Sequence, residues 1–462
     1  MGPTIVWLRQ DLRTRDNPAL AAAAARGPVL PLYILDDATP GKWRLGAASR
    51  WWLHMSLRAL AKDIPGLVLR AGDPGEIISR LAADTNATAI YWNRCYEPHA
   101  VARDAALKKH LAARGLETTS FNASLLHEPW EIKTKDGGPF KVFTPYWRAA
   151  AARDVAAPLP AAKLKCIACR SDALDDWKLL PSKPNWAAGW EKLWTPGEKG
   201  AAARLRHFIE ESLAKYAADR DRPDLPATSR LSPHLHFGEI SPRQIWSALA
   251  FKEAATHKFA SELGWREFSH HLLFHFPTLP QANWKSAFDA FPWRAAKKDF
   301  AAWSRGLTGY PMVDAGMREL WSTGFMHNRV RMIAASFLIK HLRIDWREGE
   351  AWFWDTLLDA DLANNAASWQ WVAGSGADAS PFFRIFNPVT QGRKFDPDGK
   401  YVRRWIPEIA QLPDDFIHAP FDAPADALKS ANIVLGKTYP KPIVDHAEAR
   451  AAALAAYKTI SG

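Results

Sequence analysis

Apolar and polar residues follow two rhythms along this chain, and the first third carries the rhythm of buried strands alternating with helices. Five short apolar runs predict strands, at residues 4–8, 29–35, 67–70, 89–92 and 118–121. Stretches rich in Ala, Leu and Arg lie between them and predict helices at residues 18–25, 47–61, 74–83 and 99–114. This alternation predicts a parallel, doubly wound sheet. No GxGxxG follows the first strand, so the usual dinucleotide site is not expected here.

The rest of the chain changes character twice. Residues 128–200 are punctuated by Pro, Trp, Gly and Lys, which is typical of a long connector laid over a surface. From about residue 201 apolar residues recur at helical spacing, in the stretches 205–216, 242–251, 315–321, 329–342, 350–358 and 447–459. We therefore predict an α/β domain at 1–128, a connector at 129–200 and an all-helical domain at 201–462.

Charge adds a possible partner to this picture. The 462 residues carry a formal net charge of +11, with a pI near 9.5. Such a surplus suits a polyanion, because Lys and Arg release counterions from phosphates, although a basic protein without that partner explains it equally. The chain starts with a polar-flanked strand instead of an apolar signal core, and no apolar run approaches the roughly 20 residues that cross a bilayer. We expect a cytoplasmic protein without membrane contact.

Cysteine and tryptophan contents point in different directions. Three cysteines are too few for a disulfide scaffold or a four-cysteine iron–sulfur cluster. Cys166 and Cys169 have CxxC spacing, but only Cys95 could join them and no histidine pair is near, so we expect ordinary thiols and no metal site. The 23 tryptophans are more informative, because a core normally needs few of these large rings. They indicate an aromatic interior that holds a flat ligand or passes electrons.

Two polar segments of the second half are candidates for a binding site. In TSRLSP (228–233), hydroxyl and backbone N–H donors at the positive end of a helix could bind a diphosphate. The alternative is plain helix capping by Ser232 and Ser241, each of which precedes a proline. In LDADLANNAASWQW (358–371), two acids and two amides need internal partners if they are buried. Arg331 could offset one acid, and the neighbouring tryptophans favour a cofactor site.

Seven segments, collinear along the chain, resemble the photolyase/cryptochrome family. They are WLRQDLRTRDNPAL (7–20), TSRLSPHLHFGEISPRQIW (228–246), ELGWREF (262–268), TGYPMVDAGMREL (308–320), MHNRVRMIAASFLIKHLRIDWREGE (326–350), DADLANNAASWQW (359–371) and FFRIFNPVTQGRKFDPDGKYVRRW (382–405). The resemblance covers essentially the whole chain. It implies an N-terminal α/β antenna-binding domain, and a helical domain that holds a U-shaped FAD.

The resemblance also implies which residues hold the FAD. Those matching the positions around its ribityl and diphosphate groups are Tyr216, Thr228, Ser229, Arg230, Leu231 and Ser232. Asp359, Ala360 and Asp361 match the segment near the flavin ring and ribose, and Arg331 matches the partner of Asp359. Asn365 matches the residue that faces flavin N5. An amide there suits the fully reduced anionic flavin of photolyases, while a purely structural asparagine is the alternative.

Two further sets follow from the resemblance. Trp369, Trp346 and Trp293 match the inner, middle and outer members of the chain that carries electrons to the flavin, with core packing as the alternative for each. A second set matches a pocket for a pyrimidine dimer turned out of DNA, with aromatic walls, an acid and basic residues at its mouth: Trp265, Trp371, Glu262, Asn328, Met332, Arg220, Arg266 and Arg329. The alternative for these arginines is that they neutralise core acids.

Within the family, the residues favour light-driven repair of cyclobutane pyrimidine dimers in DNA. Relatives that repair 6–4 photoproducts carry a histidine pair where this chain has His327-Asn328. Cryptochrome photoreceptors often lack the second tryptophan of the WxW pair, which is present here as Trp371, and usually bear a long C-terminal extension. A cryptochrome-type signalling protein is the alternative function, and a non-catalytic DNA-binding role is a third. We expect a monomer without an obligate protein partner.

The antenna chromophore is the least determined feature. Folate-binding relatives place an Asn–Glu pair after a Tyr-Glu, but this chain has Tyr96-Glu97 followed by Pro-His-Ala. We expect 5,10-methenyltetrahydrofolate at an altered site, with 8-hydroxy-5-deazaflavin, or no antenna, as alternatives. Trp51, Trp52 and Glu97 are the candidate contacts, and a core helix face is the alternative for the two tryptophans.

Overall fold

The structure is a computed structural model, and it describes residues 2–249, 251, 254–379 and 383–461. The chain forms two compact units. The first comprises residues 1–214, 229–277 and 358–363, and the second comprises residues 215–228, 278–357 and 364–462. Residue 250 of the predicted helix 242–251, and Phe382 of the last family-like segment, lie outside the described residues. The domain limits drawn from the sequence stay a prediction.

A five-stranded parallel sheet forms the centre of the first unit. Its strands are β1 Thr4–Leu8, β2 Val29–Leu35, β3 Val68–Ala71, β4 Ala89–Asn93 and β5 Glu117–Phe121. Their order is β3-β2-β1-β4-β5, so the sheet is doubly wound as predicted. All residues of β1, β2 and β4 are buried, which explains their continuous apolar runs. Each predicted strand is confirmed to within one residue at either end.

The α-helices of the described chain are α1 Pro18–Arg26, α2 Ala47–Asp63, α3 Pro74–Thr85, α4 Pro98–Ala112, α5 Phe143–Ala151, α6 Trp190–Leu193, α7 Glu198–Glu211, α8 Tyr216–Asp219, α9 Ser232–His236, α10 Pro242–Ala248, α11 Ala254–His275, α12 Lys297–Ser304, α13 Pro311–Thr323, α14 Asn328–Ser336, α15 Trp346–Thr356, α16 Leu362–Ala373, α17 Pro388–Phe395, α18 Lys400–Trp405, α19 Ala425–Ser430 and α20 His446–Lys458. None of these is both long enough and apolar enough to cross a bilayer.

Several helices differ from their sequence predictions, and three differences stand out. The predicted helix 205–216 ends early, because α7 stops at Glu211 and α8 begins at Tyr216. The predicted helix 329–342 holds only to Ser336 and continues as a π-helix, Phe337–His341. The 22-residue helix α11 was not predicted. Its apolar residues are spread around the helix, so they give no single amphipathic stripe.

A buried polar cluster joins the segment after β1 to the turn before α10. Arg13 is fully buried and donates to the carbonyl oxygens of Gly238 and Ala123, both at 2.8 Å. Asp16 accepts from Ser241 Oγ at 2.5 Å. Gly238 has φ +66°, and a Cβ on it would lie 2.0 Å from the carbonyl oxygen of Gln10, so no other residue fits without a shift. The family-like segments 7–20 and 228–246 are therefore one structural feature of the first unit.

Candidate functional site

The hydroxyl-rich segment meets an acid of the second polar segment within the first unit. Ser232 is exposed, and its Oγ donates to Asp359 Oδ2 at 2.6 Å. The proposed capping role of Ser232 is wrong, because α9 begins at Ser232 itself and has no side-chain cap bond. Capping by Ser241 is confirmed, since its Oγ accepts from Gln244 N at 3.0 Å in a capping box.

The backbone before α9 is bent into an unusual conformation. Arg230 has φ +53°, a region that non-glycine residues rarely adopt and that is often found at functional sites. Its guanidinium lies 4.3 Å from the ring centre of Trp194. Leu231 is buried, and its N–H donates to Ser229 Oγ at 3.4 Å. A positive side chain thus stands at a strained turn before α9, and a cation beside such a turn suits a diphosphate.

Asp361 is a buried carboxylate between two histidines of the first unit. Its Oδ2 lies 3.4 Å from His270 Nε2 and 3.8 Å from His236 Nδ1. Burial would raise the pKa of Asp361, but the two imidazoles outweigh burial and hold that pKa well below its usual range. Burial would likewise lower the pKa of His270, and Asp361 raises it instead. Asp361 is therefore an ionised acceptor, next to Ala360, which is also buried.

His270 and His236 were missed in the sequence analysis. The signal that could have found them is electrostatic, because a buried acid inside an apolar stretch needs an opposite charge or a donor. His236 belongs to α9 and His270 to α11, and nothing in the sequence of either helix indicates that Asp361 lies nearby. Their sequence distance from Asp361 is too large for spacing alone to connect the three.

In the second unit, Asn365 has a fixed amide. The side chain is buried, and its Nδ2 donates to the carbonyl oxygen of Glu350 at 3.0 Å. That bond turns the carbonyl end of the amide away from Glu350. Arg331 donates from Nε to the carbonyl oxygen of Met326 at 2.7 Å. Tyr216 is buried at the start of α8, and Thr228 is partly buried.

The three candidate electron-transfer tryptophans also belong to the second unit. Trp369 is 2% exposed and packs 5.0 Å from Phe353 and 6.4 Å from Trp303, between ring centres. Trp346 is fully buried and donates from Nε1 to Asn283 Oδ1 at 2.9 Å. Trp293 is half-buried, 4.3 Å from Phe291. Trp369 and Trp346 are thus core residues and Trp293 is partly exposed, while the order of the three in an electron path stays a prediction.

The candidate lesion residues of the first unit lie on α11. Trp265 is half-buried, and its ring stacks on Phe143 with centres 3.7 Å apart and an interplanar angle of 8°. Glu262 is one turn earlier and 3.6 Å from Lys258 Nζ. Its side chain is 28% exposed, so the carboxylate can be reached from outside. An aromatic face and an accessible acid are thus available on one helix.

The predicted phosphate-binding arginines are mostly engaged within the protein. Arg266 donates to the carbonyl oxygen of Ser124 at 2.6 Å, and its side chain is 12% exposed. Arg329 pairs with Asp221 at 2.8 Å, and the Arg220 guanidinium lies 3.8 Å from the same residue. The side chains of these two arginines are 16% and 14% exposed. Each of the three arginines thus has a partner within the protein, but Asp221 is 34% exposed, so neither the phosphate role nor the neutralisation of core acids is decided and both stay predictions.

Three further candidates are accessible in the second unit. Asn328 begins α14 and is exposed, Met332 lies one turn later and is partly exposed, and Trp371 is half-buried in α16. His327 precedes them as the N-cap of α14, where its ring accepts from Arg329 N at 3.2 Å. Burial lowers the pKa of His327 to about 4, so this histidine is neutral at pH 7.

The antenna candidates lie in the core of the first unit. Trp52 is fully buried and Trp51 is 3% exposed. Trp52 donates from Nε1 to Glu239 Oε1 at 3.1 Å and packs on Trp194 and Phe237. These contacts match the core-helix alternative. Glu97 is also buried and accepts from Gln10 Nε2 at 2.5 Å.

Comparisons with known proteins add two family matches. A family described as DNA photolyase matches residues 4–163, and a family described as the FAD binding domain of DNA photolyase matches residues 259–459. The chain is 54% identical to a deoxyribodipyrimidine photo-lyase of Agrobacterium fabrum, across 99% of this chain and 98% of that protein. It is 40% identical to Cryptochrome-1 of Arabidopsis thaliana, across 97% of this chain and 69% of that protein.

A solved structure agrees with the sequence relatives. The crystal structure of a bacterial class III photolyase from Agrobacterium tumefaciens is 54% identical to this chain and matches it with a TM-score of 0.96. The match covers 100% of this chain and 98% of that one. The predicted fold class is therefore confirmed, including its helical FAD-binding part.

Proposed function

This chain belongs to the photolyase/cryptochrome family, and from that premise we propose that it is a deoxyribodipyrimidine photo-lyase. It uses blue or near-ultraviolet light to split cyclobutane pyrimidine dimers in DNA. The observation that carries the proposal is the match, over nearly the full length, to photolyases at 54% identity. The cryptochrome relative is less similar, which makes light signalling the second candidate.

FAD is the cofactor that this family implies, and the donors and acceptors of this chain fit it. The Ser232 hydroxyl fixed by Asp359, and the strained backbone at Arg230, suit the ribityl and diphosphate groups. Asp361, which His270 keeps ionised, is proposed to accept hydrogen bonds from N–H groups of the flavin. Tyr216, Thr228, Ser229, Leu231, Ala360 and Arg331 complete the proposed set. Bound FAD, fully reduced, supplies the electron that opens the dimer after excitation.

Asn365 is proposed to set the protonation state near flavin N5. Its Nδ2 is bonded to the Glu350 carbonyl, so the opposite end of the amide presents an acceptor. A neutral amide has no proton to release near pH 7, whereas an acid at this position could donate one. The residue therefore accepts from an N–H group without protonating it further, as an anionic reduced flavin requires.

Trp369, Trp346 and Trp293 are proposed to pass electrons inward from the surface. Indole is the side chain best suited to this role in the described core, because it is large, polarisable and readily oxidised. The inner two rings are shielded from water, and Trp293 is half-buried where an external reductant can reach it. This path prepares the enzyme for repair, and it is not needed once the flavin is reduced.

On the DNA side, Trp265 and Trp371 are proposed as the aromatic walls for the dimer, and Glu262 as the acid that binds it. Turning a nucleotide out of the duplex costs a few kcal/mol, less where the pair is damaged. Apolar walls then favour a dimer over a normal base. Asn328 and Met332 are proposed as further contacts of the DNA. Arg220, Arg266 and Arg329 would contribute to phosphate binding only by exchanging their internal partners.

The antenna proposed is 5,10-methenyltetrahydrofolate, with 8-hydroxy-5-deazaflavin as the alternative. Where β1 and β4 end, protein side chains bond one another: Gln10 to Glu97 at 2.5 Å, and Arg9 to Asp104 at 2.6 Å. This edge of a doubly wound sheet is where ligands commonly bind. Because Gln10 and Arg9 are engaged with Glu97 and Asp104, we favour a pterin packed elsewhere. Absorbance spectra of the purified protein, with mass analysis of the released chromophore, identify it.

The experiment that tests the proposed enzyme uses an oligonucleotide with one thymine dimer. Purified protein with chemically reduced FAD should remove the dimer under blue light and leave it intact in the dark. An oligonucleotide with a 6–4 photoproduct is the matched substrate control, and it should stay unrepaired, since Asn328 stands where 6–4 enzymes carry a second histidine. Normal flavin photochemistry with no dimer loss would favour the signalling alternative.

A further inference from the structure

The back of helix α11 is covered by the segment that connects β5 to the later helices. Helix α5, Phe143–Ala151, packs along α11. The residues of the covered face recur at helical spacing along α11: Gly264, Phe268, His271 and His275. Glu262 and Trp265, the proposed lesion contacts, belong to the same helix, and Phe143 of the covering segment contacts Trp265.

The cover contacts Trp265 through a stack of parallel rings. Phe143 is 9% exposed and lies on one face of the Trp265 indole, with centres 3.7 Å apart. Trp147 follows, parallel to Phe143 within 8° and 6.4 Å away. A Cβ on Gly264 would lie 2.4 Å from Trp147 Cε3, so only glycine allows this ring to approach the helix backbone.

Hydrogen bonds fix the same segment two turns further along α11. His271 Nε2 accepts from Phe140 N at 3.0 Å, and its Nδ1 bonds the carbonyl oxygen of Pro129 at 3.1 Å. Since a carbonyl can only accept, Nδ1 carries the proton and the ring is neutral. His275 Nε2 bonds the same carbonyl at 3.1 Å. The segment is therefore anchored independently of the ring stack.

We propose that Phe143 is a positioning residue that covers one face of Trp265 and leaves the other face to receive the dimer. The inference rests on the proposed role of Trp265 as a lesion wall. Phe143 itself does not touch DNA. It acts by restricting the rotation of the indole, so that no ordering cost is added when the dimer binds.

The test compares dimer binding by four single variants and one double variant, measured in the dark by fluorescence anisotropy with a thymine-dimer oligonucleotide and its undamaged counterpart. Phe143→Leu should weaken affinity for the dimer about two- to tenfold, the range of one aromatic stack, and leave undamaged DNA unaffected. Phe143→Tyr keeps a flat ring and should restore wild-type affinity. In Phe143→Leu the repair rate at saturating dimer should equal that of the wild type, so KM rises while kcat stays the same.

Phe274→Leu is the matched control. Phe274 is also on α11 and packs on Trp130 of the same connector, with centres 5.3 Å apart, but it is more than two turns from Trp265. This variant removes the same chemical group from the same interface and should bind the dimer like the wild type. An equal loss of affinity in Phe143→Leu and Phe274→Leu would overturn the inference, because it would reflect general loosening.

Trp265→Ala separates this inference from the function on which it rests. If Trp265→Ala weakens dimer binding while Phe143→Leu does not, the lesion wall stands and the positioning role fails. If Trp265→Ala binds the dimer normally, the lesion wall itself is refuted and the inference falls with it. Where both roles hold, Phe143→Leu adds no further loss in the Trp265→Ala background, as residues acting through one another require.

Discussion

Gly349 lies against the innermost tryptophan of the proposed electron path, and one added methyl group tests that contact. A Cβ on Gly349 would lie 2.1 Å from Trp369 Cη2 and 2.7 Å from Leu338 Cδ2. Trp369 cannot move aside easily, since it is 2% exposed and packed on Phe353 and Trp303. Gly349→Ala should therefore displace the indole or strain the helix that carries the methyl group.

The expected magnitude combines two opposing effects. Overpacking a core costs about 1–3 kcal/mol, while alanine is better than glycine inside a helix by about 1 kcal/mol. Gly349→Ala should thus lower the free energy of unfolding by up to about 2 kcal/mol. In a Trp369→Phe background the shorter ring removes the clash, and the methyl group should then be neutral or stabilising. The coupling between the two sites should be about 1–3 kcal/mol.

Two measurements check this reasoning. Urea unfolding of the wild type, both single variants and the double variant gives the coupling energy. Blue-light reduction of oxidised flavin, with an external reductant present, should be slower in Gly349→Ala because the displaced indole changes the first electron-transfer contact. A methyl group that costs the same free energy with Trp369 and with phenylalanine would refute the contact. A wild-type rate of photoreduction in Gly349→Ala would mean that this contact has no influence on electron transfer.

Three further predictions follow from the same structure. Trp293→Phe should block photoreduction of oxidised flavin but leave repair intact after chemical reduction, because phenylalanine keeps volume and is much harder to oxidise; normal photoreduction would remove Trp293 from the path. Arg329→Ala should flatten the slope of log affinity against log salt by clearly less than the roughly 0.9 of a full phosphate contact, since Asp221 neutralises this arginine. A change of 0.9 would mean that the pair opens on DNA. Acidification should destabilise the fold between about pH 6.5 and pH 4, because burial lowers the pKa of His271, His327 and His418 to about 4. These rings stay neutral when folded and bind protons near pH 6.5 when unfolded, so their stabilisation is complete above pH 6.5 and is lost on acidification, as urea unfolding at pH 7.5 and pH 5 would reveal.

The sheet could be predicted from the sequence because its strands are buried on both faces. A strand in that position needs apolar residues throughout, so β1 and β2 stand out as short continuous runs between polar turns. Helix α11 could not be predicted in the same way. It is covered by α5 on one side and carries Glu262, Arg266 and His270 among apolar residues, so its pattern has no single period.

Only part of the candidate site could be predicted from the sequence, and the reason is electrostatic. The motif resemblance gave a role to Asp361 and none to His270 or His236, because the partners of a buried acid are determined by tertiary proximity. The same reason explains the arginines. From residue type alone, Arg266 and Arg329 are both able to bind phosphate. Only the structure reveals that Arg266 is bonded to a backbone carbonyl and Arg329 to a carboxylate.

These internal pairs change where the positive charge of the protein can act. A net charge of +11 counts every Lys and Arg equally, yet a cation paired with an acid releases few counterions from DNA. Arg329 lies 4.3 Å from the ring of Phe395 and pairs with Asp221, so it is held by two contacts within the second unit. Arg393 and Lys394 on α17, beside Phe395, are exposed and better able to meet a phosphate. Arg329 would then hold the local structure, while exposed basic residues such as Arg393 and Lys394 supply the salt-dependent attraction.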